Sequence, residues 1–362
     1  MKAVVVTSQR PWEVTKPLET TEVDMLTLLI DPEDSLPVRF FSTLYRTHQA
    51  IKNHDPDLLF LDVYDIPGLV ATFVAKAHGV PVITRVVGDR IGELGSDRIR
   101  TRLENGNYGT AIVFKLMYVL SIPIFAISTG LVVVSKDLKA KMITQTRHTG
   151  NQICVVPVPF RDDAFDAEKH SDRSDTTQIS ILTVTNLEYR GKYDGARDAL
   201  LGVESLVKEC AVVDYRIAGT GAYKQDLEEY VDHALDQKTS ELVDVLGYVV
   251  DIEREYRNAD IFLYISYLDG YPNTVLEAQG MGLPVVTNRA KGMADQVNDG
   301  TSGLFVDPED PDAIRSTLER LIDQPSLRMS LGREARQIVE KRNSPVRIGE
   351  QLEKSFERLL PK

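Results

Sequence analysis

Short runs of uninterrupted apolar residues, each followed by an amphipathic stretch, recur along the whole of this chain and leave few folds open to it. Residues 57–63 read DLLFLDV, the helical pattern PGLVATFVAKAHG follows, and VPVITRVV occupies 80–87. Runs that are apolar at every position suit strands of a sheet covered on both faces. The Gly79-Val80-Pro81 punctuation marks the turn from helix back into strand. LVVVS at 131–135 and ICVVPV at 153–158 continue the alternation, which then stops at the charged stretch RDDAFDAEKHSDRSDTTQ of 161–178, a linker by composition. A second set follows, with ISILTVTNL, YRIAG, LVDVLG, IFLYISY and LPVVT as strands and KQDLEEYVDHAL and NTVLEAQGMG as helices between them. The segments DPDAIRSTLERLID, PSLRMSLGREARQIVEK and RIGEQLEKSFERLL are helical, their apolar positions recurring every three or four residues. The expectation is two doubly wound α/β domains, over 1–160 and 161–340, with a terminal helix in 341–362 packing back across their junction; 362 residues suffice for both cores.

Charge narrows the partners. With 42 Lys+Arg against 54 Asp+Glu the net charge is −12, so no broad basic surface is expected to attract nucleic acid. A diphosphate is different, because one or two local cations and a helix N-terminus hold it inside an acidic protein. Cys154 and Cys210 form no CxxC or zinc spacing, and the apolar run after Met1 soon meets Arg10 and Pro11, too short for a secretory signal. The expected setting is cytoplasmic. From Leu116 to Val134 no side chain is charged, a length that approaches a bilayer span. Pro123 and Gly130 divide it, and LVVV before Ser135 reads as a buried strand after a helix, with Ser135 capping the next one. A peripheral contact with the cytoplasmic membrane face is the other reading, and a true span the least favoured.

The richest chemical signal is Asp269-Gly270-Tyr271-Pro272-Asn273-Thr274-Val275-Leu276-Glu277-Ala278, directly after the strand IFLYISY. Glycine and proline shape the connection, Asn273 or Thr274 can cap the helix containing Glu277, and two carboxylates with seven residues between them can reach one crevice at strand C-termini. A helix N-terminus there offers N–H groups to phosphate, and carboxylates fix sugar hydroxyls. Spacing alone leaves equally open a plain tight turn with Glu277 on a helix surface. The segment resembles the nucleotide-sugar-binding signature of glycosyltransferase family 4, the glycosyl transferases group 1, in which two Glu flank seven residues. The likeness continues through LEAQGMGLPVVT and DGTSGLFVDPEDPDAI. It implies a retaining GT-B enzyme, two Rossmann-like domains facing a central cleft. By the same resemblance Asp269, in place of the first Glu, contacts donor-sugar hydroxyls, Glu277 the ribose, and the backbone of Tyr271, Pro272, Asn273 and Thr274 borders the sugar and diphosphate.

Upstream, Thr185-Asn186-Leu187-Glu188-Tyr189-Arg190-Gly191-Lys192 follows the strand ILTVT, where the family places an Arg and then a Lys around the diphosphate. Lys192 matches the lysine. Asn186 stands at the arginine position and cannot neutralise phosphate, so Arg190 is a candidate substitute. Gly219 and Gly221 resemble the family's short glycine turn near the nucleotide, a weak signal that often marks only a turn. The N-terminal half departs further, with no Gly-Gly turn after AVVVTSQ and with Gly88-Asp89 where relatives carry a cleft histidine. Asp89, with Arg85 or Arg90, is a candidate for holding the acceptor hydroxyl, as is a charged loop with no chemical role.

What the resemblance implies is sugar transfer from a nucleotide-diphosphate sugar, UDP or GDP not being distinguishable, to an acceptor hydroxyl on a lipid-linked glycan or polysaccharide, a hexosyltransferase of the EC 2.4 class that needs no metal. The altered Asn186, Asp269 and N-terminal loop keep open a non-catalytic nucleotide-sugar-binding subunit, and an epimerase on the same fold is a separate alternative. No histidine has the company of a hydrolase triad, and no GxSxG is present.

Overall fold

The computed structural model describes residues 1–88, 99, 103, 108–161, 178–209 and 213–361, and its contacts divide the chain into two units, Met1–Pro159 with Asn343–Lys362, and Phe160–Arg342. Each is a Rossmann-like α/β domain. Most of the charged 161–178 stretch, and Cys210, lie outside the described residues.

The first unit contains β1 (Lys2–Thr7), α1 (Trp12–Leu18), β2 (Asp24–Leu29), α2 (Leu36–His54), β3 (Leu58–Leu61), α3 (Ile66–Ala77), β4 (Val82–Val86), α4 (Tyr108–Ile127), β5 (Gly130–Val133), α5 (Lys136–Gln145) and β6 (Ile153–Val155). Its strands pair in parallel in the order β2-β1-β3-β4-β5-β6. Period-two alternation sorts the core. Val4, Val6, Leu59 and Leu61 meet α2, α3 and α4 through Ile51, Val70, Val74 and Ile124. Ala3, Val5, Leu58 and Phe60 point the other way, onto α1 and the C-terminal segment, through Val14, Leu18, Ile348 and Phe356. Ser135 caps α5 by accepting from Leu138 N–H (3.3 Å), and the uncharged 116–134 stretch is the end of a Pro123-containing helix followed by a buried strand. No helix among the described residues is long and apolar enough to cross a membrane.

The second unit contains β7 (Ile179–Val184), α6 (Arg190–Glu209), β8 (Val213–Ala218), α7 (Lys224–Ala234), β9 (Val243–Gly247), α8 (Ile252–Asn258), β10 (Ile261–Tyr264), α9 (Asn273–Gly280), β11 (Val285–Asn288), β12 (Gly303–Val306), α10 (Pro311–Asp323) and α11 (Pro325–Arg342). The parallel order is β12-β11-β10-β7-β8-β9. After α11 the chain returns to the first unit. Asn343 Nδ2 donates to the buried Val158 carbonyl (2.7 Å), and α12 (Pro345–Leu359), capped by Ser344, packs on α1. Phe356 meets Phe60 edge-on at 4.9 Å, and Gly349 is required because a Cβ there would stand 2.2 Å from the Pro17 carbonyl oxygen.

Candidate functional site

Strand order locates the site before any side chain is considered. In the second sheet β7 leads outward to β8 and β9, while β10 lies on its other flank, so the connections after β7 and β10 diverge and open a crevice at their C-terminal ends. Helix α6 seals one wall. A Cβ on Gly195 would lie 2.1 Å from the Ile265 carbonyl oxygen, so the helix backbone rests directly on the end of β10 and brings Lys192 over the following loop. Lys192 Nζ is 2.8 Å from Asp269 Oδ1 and donates to Tyr264 Oη at 3.2 Å. The Tyr264 and Ser266 hydroxyls both donate to Asp269 Oδ2, each at 2.6 Å. Burial alone would raise the Asp269 carboxyl, but Lys192, Ser266 and Tyr264 outweigh it and hold it below its ordinary value. Burial likewise opposes the Lys192 charge, yet Asp269 and Tyr264 raise its pKa above the usual lysine range. The Tyr264 phenol, buried and beside Asp269, is pushed up to about 12. The result is an ionised pair with a neutral phenol between its members.

The loop after β10 is braced from below. Gly292 donates its N–H to the Asp269 carbonyl (3.2 Å) and approaches so closely that a Cβ would sit 2.0 Å from the Gly270 oxygen. Gln296 Nε2 donates to the Pro272 carbonyl (2.9 Å), and Tyr271 is buried. The capping expectation is corrected here. Pro272 occupies the cap position with no side-chain bond, and Asn273 and Thr274 are already helical, since proline's fixed φ starts the turn unaided. Glu277, on α9, accepts from the Tyr256 hydroxyl at 2.9 Å, and that hydroxyl also lies 3.2 Å from the Thr274 carbonyl. Burial first, then Glu277, raises the Tyr256 phenol well above its ordinary value. Thr274 Oγ1 is buried and has no hydrogen-bond partner among the described residues.

The remaining candidates divide. A Cβ on Gly219 would stand 1.9 Å from the Thr185 carbonyl oxygen and one on Gly221 2.2 Å from Glu188 N, so both glycines let the turn after β8 lie against the loop after β7. Asn186 Oδ1 accepts from Glu188 N–H (2.9 Å), serving its own turn. Arg190 is 48% exposed, pairs with Asp194 (3.0 Å) along its own helix and lies over the Tyr193 ring, so it does not join the Lys192 cluster. Tyr264, Ser266 and Tyr256 escaped the sequence reading. The one signal, for Tyr264 and Ser266 alone, is the continuous apolar run of IFLYIS, which places Tyr264 at a strand end.

The first sheet has the same topological break between β1 and β3. A cavity of about 400 Å³ opens there, lined by Ser8, Gln9, Arg10, Glu13, Asp62 and Arg85 among others. Arg85 is already engaged. Its guanidinium is buried on β4, bonded to Glu13 (2.9 Å) and Asp62 (3.3 Å), while Asp89 and Arg90 lie outside the described residues. Both carboxylates engage this buried cation, Glu13 also meeting the exposed Arg10 at 3.5 Å, and burial, against the pull of Arg85, raises Asp62 to about 6. The folded state therefore binds the Asp62 proton more tightly than the unfolded chain, whose pKa is about 3.9. Stability should fall as pH rises through 4 to 6, on the order of 1 kcal/mol being regained between pH 7.5 and 5. Urea midpoints at the two pH values should show this gain in the wild type and a smaller one in Asp62→Asn; equal gains would contradict it.

Residues 178–324 match the family described as glycosyl transferases group 1. The capsular polysaccharide biosynthesis glycosyltransferase CapM of Staphylococcus aureus is 25% identical over 239 residues, 64% of this chain and 62% of that protein. A D-inositol 3-phosphate glycosyltransferase of Corynebacterium kroppenstedtii is 39% identical over 85 residues, 24% of this chain and 19% of its own length. The matched stretch thus spans less than two thirds of either relative. Among solved structures, Anabaena HepE in complex with UDP and glucose superposes with a TM-score of 0.71 at 14% identity, covering 99% of both chains. The fold is that of the GT-B glycosyltransferases. Among the described residues no group of three or more His, Cys, Asp or Glu is placed to hold a metal ion.

Proposed function

We propose that this chain is a retaining glycosyltransferase that moves a sugar from a nucleotide-diphosphate sugar to an acceptor hydroxyl. One observation carries the reading: Lys192, its charge favoured by Asp269, stands at the topological switch point over the loop that leads into α9, where a diphosphate is best neutralised. The group 1 match over this same unit and the UDP complex of a protein with the same fold support it.

In this reading Lys192 and the α9 N-terminus stabilise charge on the departing diphosphate. Glu277, its orientation fixed by Tyr256, accepts hydrogen bonds from the ribose. The bond from the anomeric carbon to the phosphate oxygen breaks as that to the acceptor oxygen forms on the same face. The acceptor's proton passes to the leaving phosphate, so no enzymic nucleophile is required. Asp269 has a different weight from the one its motif position implies. Its Oδ2 is taken by Tyr264 and Ser266, so its first task is keeping Lys192 charged and in place, and only Oδ1 keeps a free direction for a sugar hydroxyl. The acceptor class we propose is a glycan, lipid-linked or polysaccharide, with the polar cavity of the first unit as its binding place.

A binding-only subunit is the second reading, favoured by Asn186 and Arg190, which spend their polar groups on their own turn and helix. Incubating the purified chain with cell-extract glycans and labelled UDP- or GDP-sugars separates the two. Product mass raised by one sugar is expected. Saturable donor binding without any product would sustain the second reading instead, and absence of nucleotide-sugar binding would sink both.

A further inference from the structure

We propose that the outer face of the α2–α3–α4 layer in the first unit docks on an anionic lipid bilayer. These helices cover one face of the sheet, and their far sides carry apolar stripes. On α2 the stripe is Phe41, Leu44, Tyr45, His48 and Lys52, with Phe41 65% and Tyr45 66% exposed. On α3 it is Phe73, Lys76 and Ala77, and an apolar hollow of about 500 Å³ between the two helices runs from Phe41 and Tyr45 to Val74 and Ala77. On α4 it is Tyr108, Ile112, Lys115, Val119 and Ile122, at helical spacings of three and four, with Ile112 69% exposed. Exposed aromatics and aliphatics on three adjacent helices exceed the scatter of single apolar residues on an ordinary surface.

Charge identifies what covers this face. In a protein with 54 Asp+Glu and 42 Lys+Arg, α2, α3 and α4 contain no acidic residue. Arg39 is paired with Asp65 and Arg46 donates to the Leu29 carbonyl, but Lys52, Lys76 and Lys115 are exposed, one within each apolar stripe. The acids nearest in sequence to α2, Asp34 and Asp55, sit at its ends. A lysine whose stem lies among apolar side chains sends its ammonium to the headgroup level while the stem and its neighbours enter the acyl boundary. A second copy fits worse, because an isologous contact would bring lysines against lysines with no carboxylate on these three helices to pair them. No described helix spans a membrane, so the layer would lie in the interface plane. This inference stands apart from the proposed transfer reaction.

The test is flotation of the full chain with vesicles of phosphatidylcholine alone or of phosphatidylcholine and phosphatidylglycerol in equal parts. Binding to the anionic vesicles only, weakened by salt, is expected. Lys52→Gln/Lys76→Gln/Lys115→Gln should lower the partition on the order of a hundredfold, at about 1 kcal/mol per cation. The exposed-face variant Phe41→Ser/Tyr45→Ser/Ile112→Ser should lose flotation while keeping the wild-type far-ultraviolet dichroism. Failure of the wild type to float, or unchanged flotation of both variants, overturns the proposal. So does a dimer that the serine variant converts to monomer without any vesicle binding, which would assign the face to a second copy.

Discussion

Replacing Lys192 with alanine should lower transfer about a thousandfold and also destabilise the second unit by roughly 3 kcal/mol. The two effects have different causes, and a second substitution parts them. Lys192 and Asp269 are nearly buried, their side chains 14% and 15% exposed, so removing the lysine strands a carboxylate that then has only the Tyr264 and Ser266 hydroxyls. Adding Asp269→Asn removes the stranded charge, so the double variant should recover most of the stability and none of the activity. Urea unfolding alongside initial rates checks this. A double variant that regained transfer would mean that Lys192 acts only by neutralising Asp269. The linkage signs agree with a robust pair. The depressed Asp269 pKa stabilises above the unfolded carboxyl value and is lost only as pH falls through the folded one. The raised Lys192 pKa stabilises fully below the unfolded lysine value of about 10.4 and is lost only as pH rises through the folded one. Between roughly pH 4 and 10 the pair should therefore persist, and the activity limb near neutrality should belong to other groups.

Glu277→Ala should reduce kcat/KM for the donor by about a hundredfold, chiefly through KM, with little change in stability. The energetic origin is the loss of charge-assisted hydrogen bonds to the ribose, about 1.5–3 kcal/mol. Stability is spared because the Tyr256 hydroxyl keeps the Thr274 carbonyl as an acceptor at 3.2 Å. Steady-state kinetics with varied donor measure the effect. A fall in kcat at unchanged KM would place Glu277 in the transition state rather than on the nucleotide. Tyr256→Phe removes only the orienting hydroxyl and should produce a smaller rise in the same parameter.

Much of the fold was legible because buried parallel strands announce themselves as continuous apolar runs, as LLFL of β3 and IFLY of β10 do. The two doubly wound domains follow from that rhythm. Strand order does not, since nothing in the string IFLYISY says that β10 lies beside β7 rather than β9. The site inherits that gap. Lys192, Asp269 and Glu277 could be picked out by their motif, but the Lys192–Asp269 bond depends on Gly195 seating α6 on the Ile265 carbonyl, a close approach that sequence does not encode locally. Tyr264 could not be singled out, because a strand-end tyrosine has no motif. Arg190 shows the converse. Its charge suited a phosphate, and only the structure reveals that an i,i+4 partner on its own helix, Asp194, already engages it. Arg85 likewise suited, by sequence, a place beside Asp89 near an acceptor hydroxyl, although its strand position makes it the buried centre of a charge cluster with Glu13 and Asp62.

The most direct test of the account is proton NMR of a running reaction with an α-linked nucleotide sugar and an acceptor that yields product. The prediction is release of one nucleoside diphosphate for each new glycosidic bond, with an anomeric coupling that reports an α linkage, and loss of both signals in the Lys192→Ala/Asp269→Asn protein. A β-linked product, an isomerised donor, or undiminished turnover by that variant would contradict it.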